Sequence, residues 1–273
     1  MLIKIAFDFG ITNTDIVIEK NNQMEFHSFP SEKVETSFIL KILNDLKVDI
    51  NQVTKIAVTG GKSSDLENSI DSIPLVKINE VQAIGYGARE LYEIKDSKFM
   101  VVSTGTGTAC VGYLNKKFTH LGGISIGGGT LQGLSKLTID TNKPNEIEEL
   151  AKIGDKNNLD SLIGEVVNNI GALNPEITAS NFSKARNSSN LSYNDIASSL
   201  SNMVGEVIGT VAYLNALLLG VDNVYFIGRV STLNTVKNGI EKRLNLAGVK
   251  GNYMENQNFG NAIGAIAYLN TNT

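Results

Sequence analysis

The chain has one cysteine, two histidines, four prolines and no tryptophan in 273 residues. A lone Cys110 excludes a disulfide framework, a multi-cysteine zinc site and a cysteine-ligated cluster, and such sparing use of cysteine points to a reducing cytosol. His27 and His120 lie far apart, which excludes a histidine-rich metal centre. The formal net charge is −4 and no Lys/Arg run offsets it locally, so the electrostatic footprint of a nucleic-acid binder is missing. Long apolar runs are scarce as well. Met1 to Phe7 is interrupted by Lys4 and stopped by Asp8, too short for a secretory core. The most apolar segment, Val207 to Val221, spans about 15 residues where roughly 20 are needed to cross a bilayer, so no membrane partner is expected.

Glycine is plentiful. There are 26, roughly 10% of the chain against an average near 7%, and nine of them fall between Gly105 and Gly133. With 42% hydrophobic residues the chain can build a core, and a length near 270 residues is where one core gives way to two lobes.

Leu2 to Phe7 and Ile16 to Ile18 read as strands around the turn Asp8-Phe9-Gly10-Ile11-Thr12-Asn13-Thr14-Asp15. Ser37 to Leu46 has helical spacing, and Lys55 to Thr59 is a strand running into Gly60-Gly61. Asn79 can cap a helix from about Glu80 to Ile94. Phe99 to Val102 and Ala109 to Leu114 are strands around Ser103-Thr104-Gly105-Thr106-Gly107-Thr108. A polar stretch from Asp140 to about Asn202 reads as helices with loops, Asn223 to Gly228 as a strand meeting a glycine turn, and Phe259 to Leu269 as a helix. Strands alternating with helices argue for an α/β sheet fold, and a strand–Gly/Thr turn–strand unit that appears twice implies a duplicated lobe.

Gly/Thr bends expose backbone N–H groups and hydroxyls in a concave nest suited to phosphate oxygens, although either hairpin alone also reads as a plain tight turn. Gly127-Gly128-Gly129 precedes a helix whose N-terminal dipole favours an anion, or else serves as a flexible joint. Asp8 can hold Mg²⁺ beside phosphates or close a turn on its own backbone. Glu80 can act as a general base or simply favour the start of its helix.

These motifs resemble those of type II pantothenate kinases. The likeness rests on Asp8-x-Gly10-x-Thr12, Asn79-Glu80-x-x-Ala83, Gly105-Thr106-Gly107-Thr108, Gly122-Gly123-Ile124-x-x-Gly127-Gly128-Gly129 and Gln132-Gly133-Leu134. It continues through Gly154-Asp155 with Asn158 and Asp160, Thr178 to Phe182, Val204-Gly205-Glu206-Val207, Tyr225-x-Ile227-Gly228, Glu255-Asn256 and Ala262-Ile263-Gly264-Ala265. The resemblance implies a two-lobed α/β actin-like (ribonuclease H-like) fold, divided as 1–98 and 99–273, with the last helix packing back toward the first lobe. It further implies ATP-dependent phosphorylation of the primary hydroxyl of pantothenate, the first step toward coenzyme A, in a cytoplasmic homodimer. Asp8 would be the magnesium-associated acid and Glu80 the base. Gly10, Ile11, Thr12, Asn13, Gly105, Thr106, Gly107, Gly127, Gly128 and Gly129 would form the phosphate turns, and Gly228 would lie near the adenosine. The dimer contact would be the helix near Met203 to Leu219, whose pattern equally suits a core helix.

Two positions depart from the family. Its members usually have Lys where this chain has Asp15, and an Arg shortly before the Gly-Gly where this chain has Thr119-His120-Leu121. His120 can donate a hydrogen bond there and serve as a third catalytic candidate, but lacks the planar fork of Arg. The alternatives are a kinase for another small hydroxyl compound, or an ATP-gated regulatory protein of the same fold.

Overall fold

The computed structural model describes residues 2–168, 174–187 and 191–272. In chain order the strands and helices are β1 (Ile3–Phe9), β2 (Asn13–Lys20), β3 (Gln23–Pro30), α1 (Thr36–Asp45), β4 (Val53–Thr59), β5 (Ser69–Ile70), β6 (Ile73–Lys77) and α2 (Glu80–Leu91). They continue as β7 (Phe99–Thr104), β8 (Thr108–Leu114), β9 (Lys117–Ile124), α3 (Gly128–Ile139), α4 (Pro144–Ile153), β10 (Ser161–Leu162), α5 (Ile163–Val166) and β11 (Thr178–Ser180). The last are α6 (Tyr193–Leu219), β12 (Asn223–Ile227), α7 (Asn234–Leu246), β13 (Lys250–Asn252) and α8 (Gly260–Thr271).

Two sheets carry the same plan. The first has the order β3-β2-β1-β4-β6-β5 and the second β13-β12-β7-β8-β9. In each, an antiparallel meander (β1–β2–β3 or β7–β8–β9) is extended on its first strand by parallel strands, β4 and β6 or β12 and β13. The duplication read from the two Gly/Thr hairpins is therefore present in the sheets themselves. Residues 169–173 and 188–190 of the polar stretch lie outside the described residues.

Alternation along β1 shows how the first sheet is covered. Ile5, Phe7 and Phe9 point to one side and pack with Phe38, Ile39, Ile42 and Leu43 of α1. Ala6 points to the other, where with Val17 and Ala57 it meets Ala262, Ala265 and Ile266 of α8. Bulky side chains fill the space under α1, while small ones let α8 lie close to the strands. Helix α2 is shared: Ala83 belongs to that second layer, and Ile84 and Ala88 pack against Phe99, Val101, Val111 and Ile227 of the second sheet. The opposite face of the second sheet, with Met100, Val102 and Cys110, is covered mainly by α3, α4, α6 and α7. Cys110 is fully buried there, and burial pushes its thiol pKa up to about 12, so it behaves as a small apolar side chain.

Helices α2 and α8 touch through glycine. A Cβ on Gly264 would stand 1.8 Å from the Ala83 carbonyl oxygen, and one on Gly87 would stand 1.9 Å from that of Gly260. Gly264→Ala must therefore push the helices apart, with an expected cost of roughly 1–3 kcal/mol or more and a Tm lower by roughly 5 °C or more. Gly133→Ala is the control. Gly133 is exposed on α3 with nothing within 4 Å of the added methyl group, so it should leave the Tm unchanged or raise it slightly. Thermal melts of the two variants check the contact.

The apolar helix is longer than its sequence reading. It runs 27 residues, Tyr193–Leu219, and that length would suffice to cross a bilayer. The bounds drawn from its apolar run missed the first half, where Asn194, Asp195, Ser198, Ser199, Ser201 and Asn202 dilute the hydrophobicity. Much of α6 is instead consumed by packing against α4 and α7: Ile196, Leu200, Val204, Ile208 and Ala212 are buried. Leu214, Leu217 and Leu218 near its C-terminus remain exposed.

Candidate active site

The duplicated hairpins meet across a cavity of about 110 Å³, whose walls include Asp8, Gly10 to Asn13, Asp15, Gly105, Thr106, Gly128 and Gly228. A larger hollow of about 840 Å³ shares Thr12, Asn13, Gly128 and Arg229 with it and extends toward Leu131, Pro144 and Leu233. Together they form one cleft between the two sheets, narrow at the hairpins and wide toward α3 and α4. Of the proposed phosphate-turn residues, Gly107, Gly127 and Gly129 do not line the narrow part.

Each hairpin is fixed by its own backbone. The Gly10 N–H donates to the Asp8 and Asn13 carbonyls at 3.2 and 3.1 Å, and a Cβ on Gly10 would lie 2.7 Å from the Asn13 oxygen. Ile11 projects outward from the turn with 82% of its surface exposed. In the second hairpin the Gly105 N–H donates to the Gly107 carbonyl at 2.9 Å.

The glycine run has a different task from the one its sequence suggests. The N–H groups of Gly128 and Gly129 donate to the Gly105 and Thr106 carbonyls, both at 2.9 Å, so two donors at the start of α3 are already committed. A Cβ on Gly127 would lie 2.7 Å from the Thr106 oxygen and 2.9 Å from that of Gly105. The glycines dock the helix onto the hairpin, which makes the hairpin rigid and brings only Gly128 to the cavity wall.

Asp8 is the next-to-last residue of β1 and stands directly across the ladder from Asp15 of β2, an unfavourable like-charge pairing. Burial, then Asp15, then the nearby charge of Glu80 push the Asp8 pKa up to about 7, against a hydrogen bond from Asn261 and the Arg229 guanidinium. Asn261 sits in the first turn of α8, and its Oδ1 is buried without a hydrogen-bond partner among the described residues. Asp15 is nearly buried, which raises its pKa, while the ion pair with Arg229 pulls the other way.

Glu80 is the first residue of α2 and is exposed. The helix is capped by its neighbour: Asn79 Oδ1 accepts from the Val81 N–H at 2.9 Å. Glu80 is therefore not needed as the cap, and its carboxylate is close enough to Asp8 to act on its ionisation. His120 is exposed on β9 opposite Val111. The pairing shifts by one at Cys110/Val111, leaving Leu121 as an extra residue on β9, so His120 shares the face of Val111, the face that α2 packs on. His120 and Glu80 thus stand on the α2 side of the second sheet, outside the narrow cavity lined by Asp8.

Arg229, Asn258 and Asn261 also line the cavity and carry no motif of their own in the sequence, while Gln132, from the Gln132-Gly133-Leu134 motif, lines it without having been a site candidate. The signal for Arg229 was its place directly after Gly228. The Asp160 motif belongs elsewhere: fully buried, Asp160 accepts from Ser199 Oγ and from the Phe182 N–H, tying the β10–β11 region to α6.

The Fumble family profile matches residues 89–268. A type II pantothenate kinase of Bacillus thuringiensis subsp. konkukian is 32% identical over 233 residues, covering 82% of each chain. One from Staphylococcus aureus is 27% identical over 272 residues, covering 97% of this chain and 98% of its own. Among solved structures, the activator of the 2-hydroxyisocaproyl-CoA dehydratase from Clostridium difficile, with bound ADPNP, aligns with a TM-score of 0.69 at 16% identity over 98% of this chain and 94% of that one. A ROK family glucokinase from Streptomyces griseus, in complex with glucose and AMPPNP, aligns with a TM-score of 0.58 at 13% identity over 98% of both. The likeness to these structures shows the two-lobed actin-like kinase fold.

Proposed function

The chain belongs to the Fumble family, the type II pantothenate kinases, and from that premise we propose that it transfers the γ-phosphoryl group of ATP to the primary hydroxyl of pantothenate. The observation that carries this reading is the pair of Gly/Thr hairpins facing each other across one cleft with Asp8 in its wall, while the carboxylate of Glu80 lies outside that wall yet near enough to act on the ionisation of Asp8.

The cleft offers the triphosphate its narrow, hairpin-lined end and the nucleoside the wider hollow toward Leu131, Pro144 and Leu233. The cavity also fits magnesium: Asp8 is a carboxylate on which nearby negative charge and burial outweigh Arg229, and the buried Asn261 Oδ1 has no partner among the described residues. Among the described residues no cluster of three or more His, Cys, Asp or Glu could hold a metal by itself, so phosphate oxygens and water would have to supply most of the ligands beside one carboxylate. When bound there, magnesium would neutralise charge on the β- and γ-phosphates. Glu80 accepts the proton of the acceptor hydroxyl as its oxygen bonds to the γ-phosphorus and the bond to ADP breaks. His120, on the same side as Glu80, donates a hydrogen bond to the bound acceptor.

Domains 1–98 and 99–273, a cytoplasmic location and a homodimer belong to the same reading. The exposed Leu214, Leu217 and Leu218 support a dimer contact at the end of α6, and the single buried cysteine supports a reducing compartment.

The test is ADP release with MgATP and a panel of small hydroxyl compounds. Pantothenate is expected to give the highest kcat/KM. Release that depends on another compound and ignores pantothenate would replace the acceptor, while release with none would point to a regulatory nucleotide-binding protein.

A further inference from the structure

We propose that Arg229 is the phosphate-binding cation of this cleft and that Asp15, from the opposite sheet, is the positioning residue that aims it. The proposal rests on the reading that ATP binds between the hairpins.

Charge makes the case first. Of the described side chains lining the narrow cavity, Asp8 and Asp15 are anions and Arg229 is the one cation. Without it, a polyphosphate would face two carboxylates and backbone dipoles alone. Lys143 lines only the wider hollow, is well exposed, and is held by Glu146 at 2.7 Å.

Geometry makes it again. Arg229 follows Gly228, whose φ of +91° and close approach to Thr104, with a Cβ 2.5 Å from the Thr104 oxygen, fix the turn after β12. The Gly228 N–H donates to the Gln257 carbonyl at 2.7 Å, and Thr104 Oγ1 donates to the Ile227 carbonyl at 3.0 Å. From this rigid base the guanidinium crosses the cleft. Its Nη2 donates to Asp15 Oδ1 and, at 2.7 Å, to Ser28 Oγ, and its Cζ lies 5.9 Å from the centre of the Phe259 ring. Nε and Nη1 make no hydrogen bond among the described residues, and Arg229 borders both parts of the cleft. One edge of the fork is thus tied to the first sheet while the other is left for an oxyanion, an arrangement an ammonium could not copy.

Affinity for ATP relative to AMP, each measured by calorimetry without acceptor, separates this role from a structural one, because AMP lacks the β- and γ-phosphates. Arg229→Ser is expected to lower the ATP/AMP affinity ratio by about 10- to 100-fold, the range of a charge-assisted contact, with AMP affinity nearly unchanged. Arg229→Lys should recover part of the loss. Asp15→Asn, which leaves the guanidinium in place but unaimed, should lower the ratio several-fold. An unchanged ratio in Arg229→Ser, or an equal loss of ATP and AMP, would overturn the phosphate role, and an unchanged ratio in Asp15→Asn would overturn the positioning role. Wild-type protein that favours ATP over AMP yet ignores pantothenate would overturn the acceptor and leave this proposal standing.

Discussion

Glu80→Gln is expected to lower phosphoryl transfer by about 10²- to 10⁴-fold, the span usual for a general base, while ATP affinity and Tm stay near wild type. Three observations separate the effect on chemistry from effects on folding and binding. The α2 cap belongs to Asn79, so the helix does not depend on the Glu80 side chain. The residue is exposed, so the amide enters no apolar core. It is also absent from the walls of the narrow cavity, so it reaches the phosphate site only through its charge on Asp8, which matters least above pH 7 where Asp8 is ionised. Single-turnover kinetics with saturating ATP provide the check. Turnover within threefold of wild type would remove Glu80 from the base role.

The second large effect concerns Asp8 and pH. Its pKa is raised to about 7 in the protein from an ordinary 3.8. The folded state therefore holds this proton more tightly than the unfolded chain, and ionising Asp8 costs stability. That cost begins as pH rises above the unfolded value and is complete above about 7. Asp8→Asn removes it, so the variant should melt higher than wild type at pH 8, by a few degrees, and by less at pH 4.5. Transfer should move the other way. Loss of one preorganised electrostatic contact to the transferring group costs on the order of 10²-fold or more. In wild type, if the ionised form is the one that binds MgATP, kcat/KM for ATP should fall about tenfold per pH unit below 7. A Tm difference that does not grow between pH 4.5 and pH 8, or a kcat/KM flat from pH 5.5 to 7.5, would contradict the assignment of this pKa to Asp8.

The fold is legible because its evidence is local and repeated. Each hairpin announces itself by apolar runs around a Gly/Thr turn, and the helices α1 and α2 carry a 3.6-residue pattern that survives their packing, while α8 is apolar on nearly every side and buried accordingly. Strand β9 is not legible in that way. It is an edge strand with mostly exposed or half-exposed residues, a bulge at Leu121 and the pair Gly122-Gly123, so no period of two marks it. Strand β3, also at an edge, ends at Pro30, where a missing N–H harms no ladder.

The site divides along the same line. Asp8, the first hairpin and Glu80 are proposed from their place at or near the ends of elements, which the sequence displays. The Gly127–Gly129 run is not fully readable, because a helix start that can hold an anion has the same sequence as one that spends its donors on a neighbouring hairpin. Arg229 is the clearest omission. Its meaning depends on Asp15, 214 positions away in the sequence, and only the fold brings the two together. Asp15 is then half of a pair whose other half sits on the opposite side of the cleft.

The central claim is most directly tested by product identity. Wild-type protein incubated with MgATP and pantothenate should yield 4′-phosphopantothenate and ADP in equal amounts, measured together by mass spectrometry, with neither accumulating when pantothenate is left out. ADP formed at the same rate without pantothenate, or a phosphorylated product only with a different acceptor, would contradict it.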